Sequence, residues 1–286
     1  MALYRLDDPG DLLSPVLVVA LDGWVDAGGA ATTAAERLAV GGQVVVTFDA
    51  DAIFDYRARR PTLEIVDGQP TSLVWPELVI RRAKAGDRDL LVLTGPEPDY
   101  RWQELARDAV MVCERLGISE WISLGAIPAA IPHTRPVPII GTASRPGLLR
   151  GDVQAGPAGL LRVPSACLSA LDLAVSRTGV AAVGYFAQIP HYVTGPYPAA
   201  AVRLLEALGR HLDVQLPITA LAAEARDLGT RLNQATALDE ETRSYVERLE
   251  GMVDEARLPS GDELISDIER FLREQGGRGG GRGLVN

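Results

Sequence analysis

Apolar runs bounded by turn residues recur along the first two thirds of the chain, at Val16 to Leu21, Gln43 to Phe48, Asp89 to Thr94, Glu120 to Gly125, Val137 to Thr142 and Val180 to Ala187. Short continuous apolar runs of this kind predict strands covered on both faces. Between several of them, apolar residues recur at three- and four-residue spacing over Ala30 to Val40, Arg101 to Leu116, Ser165 to Arg177 and Ala199 to Leu212. That spacing predicts amphipathic helices. Strand and helix in alternation predict an α/β fold whose mostly parallel sheet carries helices on both faces. One insertion interrupts the alternation near 62–82, where Thr62 to Val66 and Thr71 to Arg82 flank the turn dipeptide Asp67-Gly68. A β-hairpin at the sheet edge is expected there.

Past Pro217 the spacing turns heptad-like, with Leu221, Ala225, Leu228 and Leu232 on one stripe and Tyr245, Leu249, Met252 and Ala256 on another. A helical hairpin follows, its second arm capped by Asp239. Ser260 and Glu263 form a capping box before Leu264, Ile265, Ile268, Phe271 and Leu272, which predicts a third helix. The chain therefore divides into an α/β core over 1–216, a helical extension over 217–275, and a Gly/Arg tail over 276–286. The tail has too little apolar surface to offset its ordering entropy and is expected to be disordered.

Composition narrows the function classes. The net charge of -10 repels phosphate backbones and anionic lipid, so no nucleic-acid or membrane partner is expected. No uninterrupted apolar stretch of about eighteen residues occurs, and the first residues lack the regions of a signal peptide, so a cytoplasmic location is expected. Cys113 and Cys167 sit within helical patterns as small hydrophobes, not as a disulfide pair. Lys84 is the single lysine, which argues against mechanisms that grip phosphates with several.

The segment Gly23 to Ala31, GWVDAGGAA, joins the first long strand directly to a helix. There the first helical N–H groups lack intrahelical partners, Gly28 and Gly29 permit close approach, and Trp24 offers contact surface. The plain alternative is a strand-to-helix turn with Asp26 as N-cap. Three more Gly/Pro-rich segments follow strand ends, at Thr94 to Trp102, Gly125 to Arg135 and Tyr185 to Pro198. In a parallel sheet these converge at one edge, where ligands bind. The candidate strand-end pocket comprises Asp22, Trp24, Asp26, Gly28, Gly29, Glu97, Tyr100, Gly125, His133, His191 and Tyr192. Histidines beside carboxylates are an acid/base inventory, yet polar residues in such loops equally serve to satisfy exposed backbone. No catalytic residue is assigned. Metal-ligand spacing, a Gly-x-Ser-x-Gly elbow, a P-loop and a dinucleotide fingerprint are all lacking, so neither metal nor cofactor is expected.

Four pieces in this order, Gly23-Trp24-Val25-Asp26-Ala27-Gly28, Thr94-Gly95-Pro96-Glu97-Pro98, Gly125-Ala126-Ile127-Pro128 and Ile189-Pro190-His191-Tyr192 with Pro198, carry a resemblance. The chain resembles the proteasome assembly chaperone 2 family, especially its actinobacterial members, over roughly Leu3 to Arg257. The resemblance implies a three-layer α/β/α sandwich similar to phosphorylase/hydrolase-like proteins. It also implies self-association and a protein-binding role without chemistry, as in relatives that escort proteasome α subunits into rings. Its partners would be a second copy and proteasome subunits or another protein. Relatives that dock by their tail end in a hydrophobic-tyrosine-any-residue motif, whereas Leu284-Val285-Asn286 departs from it. The alternative reading is a phosphorylase/hydrolase-like enzyme acting on a small polar substrate, with His133 or His191 paired to Asp22, Asp26 or Glu97.

Overall fold

The computed structural model describes residues 2–86 and 88–256. The helix expected after Ser260 and the Gly/Arg tail lie outside the described residues. In chain order the strands and helices are β1 (Tyr4–Leu6), β2 (Val16–Asp22), α1 (Ala30–Ala39), β3 (Gln43–Phe48), α2 (Ala50–Ile53), β4 (Thr62–Val66), β5 (Gln69–Val74), β6 (Val79–Ala85) and β7 (Arg88–Pro96). Then come α3 (Trp102–Leu116), β8 (Glu120–Ala129), β9 (Ile139–Ala143), β10 (Gln154–Ala155), α4 (Cys167–Ser176), β11 (Ala181–Pro190), α5 (Pro198–Leu212), α6 (Thr219–Leu238) and α7 (Glu240–Ala256).

Nine strands form one sheet in the order β1-β3-β6-β7-β2-β8-β11-β9-β10. Its centre, β7-β2-β8-β11, is parallel. The flanks are not: β1, β3, β6 and β7 pair antiparallel in turn, and β9 runs antiparallel to β11. The sheet is therefore mixed rather than mostly parallel. The cause lies in the insertion. After β4 and β5 the chain re-enters the sheet as β6 beside the carboxyl end of β7, Val79 facing Thr94, and so must run the opposite way.

The hairpin itself also differs from the expectation. Its second arm is Gln69–Val74, and β4 and β5 form a separate two-stranded sheet, not an edge of the large one. The apolar pattern ran on across Pro76, which has no N–H to give a ladder, and the chain breaks there before β6 begins.

The buried, unalternating sequence of β2 reflects helices on both faces. Val16, Val18 and Ala20 belong to a core with α1 and α5, while Leu17, Val19 and Leu21 belong to a second core with α3 and α4. Alanines at 30, 31, 34 and 35 bring α1 close to the sheet. Cys113 and Cys167 are buried and unbridged, and burial pushes both thiols up to about 12. The helical hairpin forms as expected, with Asp239 accepting the Thr242 N–H. Leu221, Leu228 and Leu232 of α6 pack onto the α5 side of the core. On α7, Val246 and Leu249 are the buried pair while Met252 is 59% exposed, so the inward stripe is rotated from the expected Tyr245-Leu249-Met252 line.

Gly95 marks where the central strand end tolerates no side chain: φ is 149°, and a Cβ would lie 2.2 Å from the Glu77 carbonyl oxygen. Gly95→Ala is expected to lower unfolding free energy by at least about 2 kcal/mol in urea titration, with the m-value unchanged.

Candidate functional site

The carboxyl ends of β2, β7, β8 and β11 bring the four segments to one edge, but β8 and β11 run further than expected. Gly125 to Pro128 are paired strand residues, in parallel register with Phe186 to Ile189. Gly125 is buried opposite Phe186. What remains as loop is short and tied down.

Glu97 is the main tie. Its backbone N–H reaches the Asp22 carbonyl at 2.8 Å, one carboxylate oxygen accepts the Trp24 N–H at 3.1 Å, and the other accepts the Cys167 N–H at the start of α4 at 2.6 Å. One side chain so joins three segments that are distant in sequence. Gly23 makes room for it, since a Cβ there would sit 2.5 Å from the carboxylate.

Asp26 is 7% exposed and turned into the start of α1, accepting the Ala31 N–H at 2.7 Å together with the Thr32 hydroxyl. It caps the helix from five residues back, across a single 3-10 turn at Ala27–Gly29. Burial raises its carboxyl above the ordinary range, against the pull of those hydrogen bonds, and Asp22 adds to the rise. The loop also lies along β8, with the Ala126 N–H on the Val25 carbonyl at 2.6 Å, and it holds the fourth segment through the Tyr197 N–H to Gly28 carbonyl bond at 3.0 Å. Asp22 is exposed and faces Arg59 at 3.9 Å. Asp99 accepts the Asp55 N–H at 2.8 Å, and the Tyr100 hydroxyl donates to the Asp55 carboxylate at 3.1 Å. Trp24 is 67% exposed.

The two histidines serve a different contact. The Tyr192 hydroxyl takes the His133 backbone N–H at 2.8 Å and meets Nδ1 at 2.7 Å, while Nε2 faces the Asn233 carbonyl oxygen on α6 at 3.1 Å. Those partners fit the neutral ring with its proton on Nε2, and burial lowers its basicity. His191 faces the Ala129 carbonyl through Nδ1 at 3.0 Å and the Tyr245 hydroxyl of α7 through Nε2 at 3.1 Å. Arg135 completes the contact, bridging Glu250 and Asp254 of α7. Among the described residues neither histidine is hydrogen-bonded to Asp22, Asp26 or Glu97, and no three His, Cys, Asp or Glu are grouped to hold a metal.

A depression of about 370 Å³ at this edge is lined by Gly28, Gly29, Thr32, Thr33, Gly195 and Pro196, with no carboxylate or imidazole. Sequence reasoning missed Asn233, Glu250 and Asp254, which hold the helical hairpin, and it placed Tyr245 on the hairpin's apolar stripe without its contact to His191. It also missed Asp172 on α4, whose carboxylate takes the Trp121 indole N–H at 2.6 Å and the Ser123 hydroxyl at 2.9 Å. Enclosure pushes Asp172 up to about 7, and those two hydrogen bonds only partly oppose it. A lone Asp within an apolar helix stripe was its only signal.

Fold and edge together define a mixed α/β protein whose strand-end face is braced by its own polar groups, with a helical hairpin strapped across part of it. The chain belongs to the PAC2 family, whose model matches residues 20–236. A Corynebacterium glutamicum protein of unknown function is 30% identical with a TM-score of 0.82, over 88% of this chain and 97% of that one. A Mycobacterium tuberculosis proteasome-assembly chaperone homologue is 33% identical with a TM-score of 0.73, over 81% and 99%. An archaeal proteasome activator from Pyrococcus furiosus, 16% identical over 81% and 97% with a TM-score of 0.64, shares the fold. No curated protein matches the chain.

Glu97→Gln turns an amide N–H toward a backbone N–H and should cost about 2 kcal/mol, read by urea denaturation. Asp172 gives a pH signature. Its carboxyl is protonated in the fold up to about 7 and ionised in the unfolded chain above its ordinary value, so its contribution is full at low pH and lost as pH rises through about 7. Relative to wild type, Asp172→Asn should gain stability by up to roughly 1.4 kcal/mol per unit between about pH 4 and 7. A parallel pair of stability curves would exclude the protonated carboxyl.

Proposed function

We propose that this chain is a non-catalytic protein-binding module of the assembly-chaperone kind, built on a three-layer, phosphorylase/hydrolase-like scaffold, and that its strand-end face is the docking surface. The observation that carries the reading is the β4–β5 hairpin. It rises from the same edge as the braced loops, since the next strand, β6, starts opposite the carboxyl end of β7. Leu63 and Leu73 oppose each other across the ladder, and Leu63, Ile65, Leu73 and Trp75 are between 44% and 59% exposed. Leu63 and Ile65, two apart on β4, share a face with Leu73 opposite Leu63, and Trp75 follows just past the end of β5, set edge-on against Tyr56 at 4.7 Å. A two-stranded sheet is marginal alone in water, and its exposed apolar residues, with Trp24 and Tyr100 exposed on the strand-end loops, are of the kind that partners cover.

Support comes also from the loops, where the acid/base inventory is engaged in bonds to backbone and to the helical hairpin. The Mycobacterium tuberculosis relative, a proteasome-assembly chaperone homologue, points to proteasome subunits as the partner class, with a second copy as the other occupant of the same face. Leu73→Ser combined with Trp75→Ser removes the apolar anchor while leaving both cores intact. Tagged wild-type protein purified from its own cells is expected to bring down ring subunits identified by mass spectrometry, or to form an oligomer by light scattering. The double variant should lose either association by at least about tenfold. A wild-type chain that stays a bare monomer, or a variant that associates as well, would contradict the reading.

A further inference from the structure

The opposite edge of the sheet holds a second arrangement of charged groups. Around the amino ends of β7, β8 and β11 lies a cavity of about 400 Å³ bordered by Arg88, Glu120, Arg145, Arg150, His211 and Ser14. Its floor is ordered by a chain of hydrogen bonds. His211, 3% exposed in the last turn of α5, meets the Tyr185 hydroxyl through Nδ1 at 2.6 Å and Glu120 through Nε2 at 2.9 Å. The other oxygen of Glu120 takes Arg88 at 3.1 Å. The His211 hydrogen bond, helped by Arg88, holds the Glu120 carboxyl down at about 2.

This is the one carboxylate of the lining, and it is already compensated. Arg145 and Arg150 are in excess. Both come from the connection between β9 and β10. Arg150 donates to the neutral carbonyl of His211 at 2.7 Å, and Arg145 has no hydrogen bond or ion pair among the described residues. Two guanidinium groups thus border one concavity without an acidic partner, in a chain whose net charge is -10. Ser14 borders the same space in a left-handed backbone conformation, φ 44°, a strained geometry for serine. Leu148 and Val183 add an apolar wall.

We propose that this cavity binds the phosphate group of a small phosphorylated molecule, with Arg145 and Arg150 on the phosphoryl oxygens and Leu148, Val183 and Ser14 meeting the remainder. Planar guanidinium forks match phosphate geometry, and a dianion balances the two excess charges. The volume exceeds what inorganic phosphate fills, which leaves room for an organic part. The site lies at the opposite edge from the docking face and stands or falls independently of it.

Isothermal titration at constant ionic strength, with inorganic phosphate, glucose 6-phosphate and glucose as probes, tests it. Both phosphates should bind and glucose should not. Arg145→Gln and Arg150→Gln should each weaken binding by about tenfold, whereas Arg177→Gln, outside the cavity, should leave it unchanged. Arg145 is exposed and unengaged, so its variant is expected to keep the wild-type melting temperature in phosphate-free buffer. Absence of binding by both phosphates, or undiminished binding in the Arg145→Gln and Arg150→Gln variants, would overturn the proposal.

Discussion

Where strands end together, the loops that follow them and the first turns of the helices beyond carry backbone N–H groups with no ladder or helix partner, and each must find an acceptor or remain in water. In this protein carboxylates supply several of those acceptors. Glu97 takes two N–H groups from separate segments, Asp26 takes the start of α1, and Asp99 takes Asp55. The rest of the edge depends on this arrangement. It fixes the loops against one another, commits side chains that would otherwise form a reaction pocket, and leaves aromatic and apolar groups as the outward surface.

The same economy governs the helical hairpin. Ile131-Pro132-His133 and Ile189-Pro190-His191 present a His each to α6 and α7, and Arg135 adds a pair of ion contacts. Surface ion pairs of this kind contribute little individually, so the orientation of the hairpin rests mainly on the buried Leu221, Val246 and Leu249. The polar contacts choose where it sits. Charge is distributed with equal consequence: carboxylates brace one edge, while the excess of arginine over carboxylate gathers at the other.

Much of the fold was legible in the sequence, because strands buried on both faces and helices with a 3.6-residue stripe leave unambiguous patterns. The helix over Trp102–Leu116 and the strand over Gln43–Phe48 fall where those patterns predict. Strand direction was not legible. Nothing local in Val79 to Ala85 says which way it runs; that follows from the hairpin before it. The convergence of the four segments on one edge was legible, and the bonding of their side chains much less so. Asp26 was readable as a cap, but the partners of His133 and His191 lie about 100 and 54 residues further along, on helices whose polar face gives no sign of the contact. Asp172 was hidden for a similar reason, its donors being on a strand 49 residues or more away.

The central claim is that the strand-end face is closed by its own hydrogen bonds. Amide hydrogen exchange at Trp24, Ala31, Asp55 and Cys167 tests it most directly, since each donates to a loop carboxylate. The account predicts exchange slowed by orders of magnitude relative to an unstructured peptide, approaching that of the central strands. Exchange at the unstructured rate in these four amides, with the central strands protected, would show an open edge and contradict it.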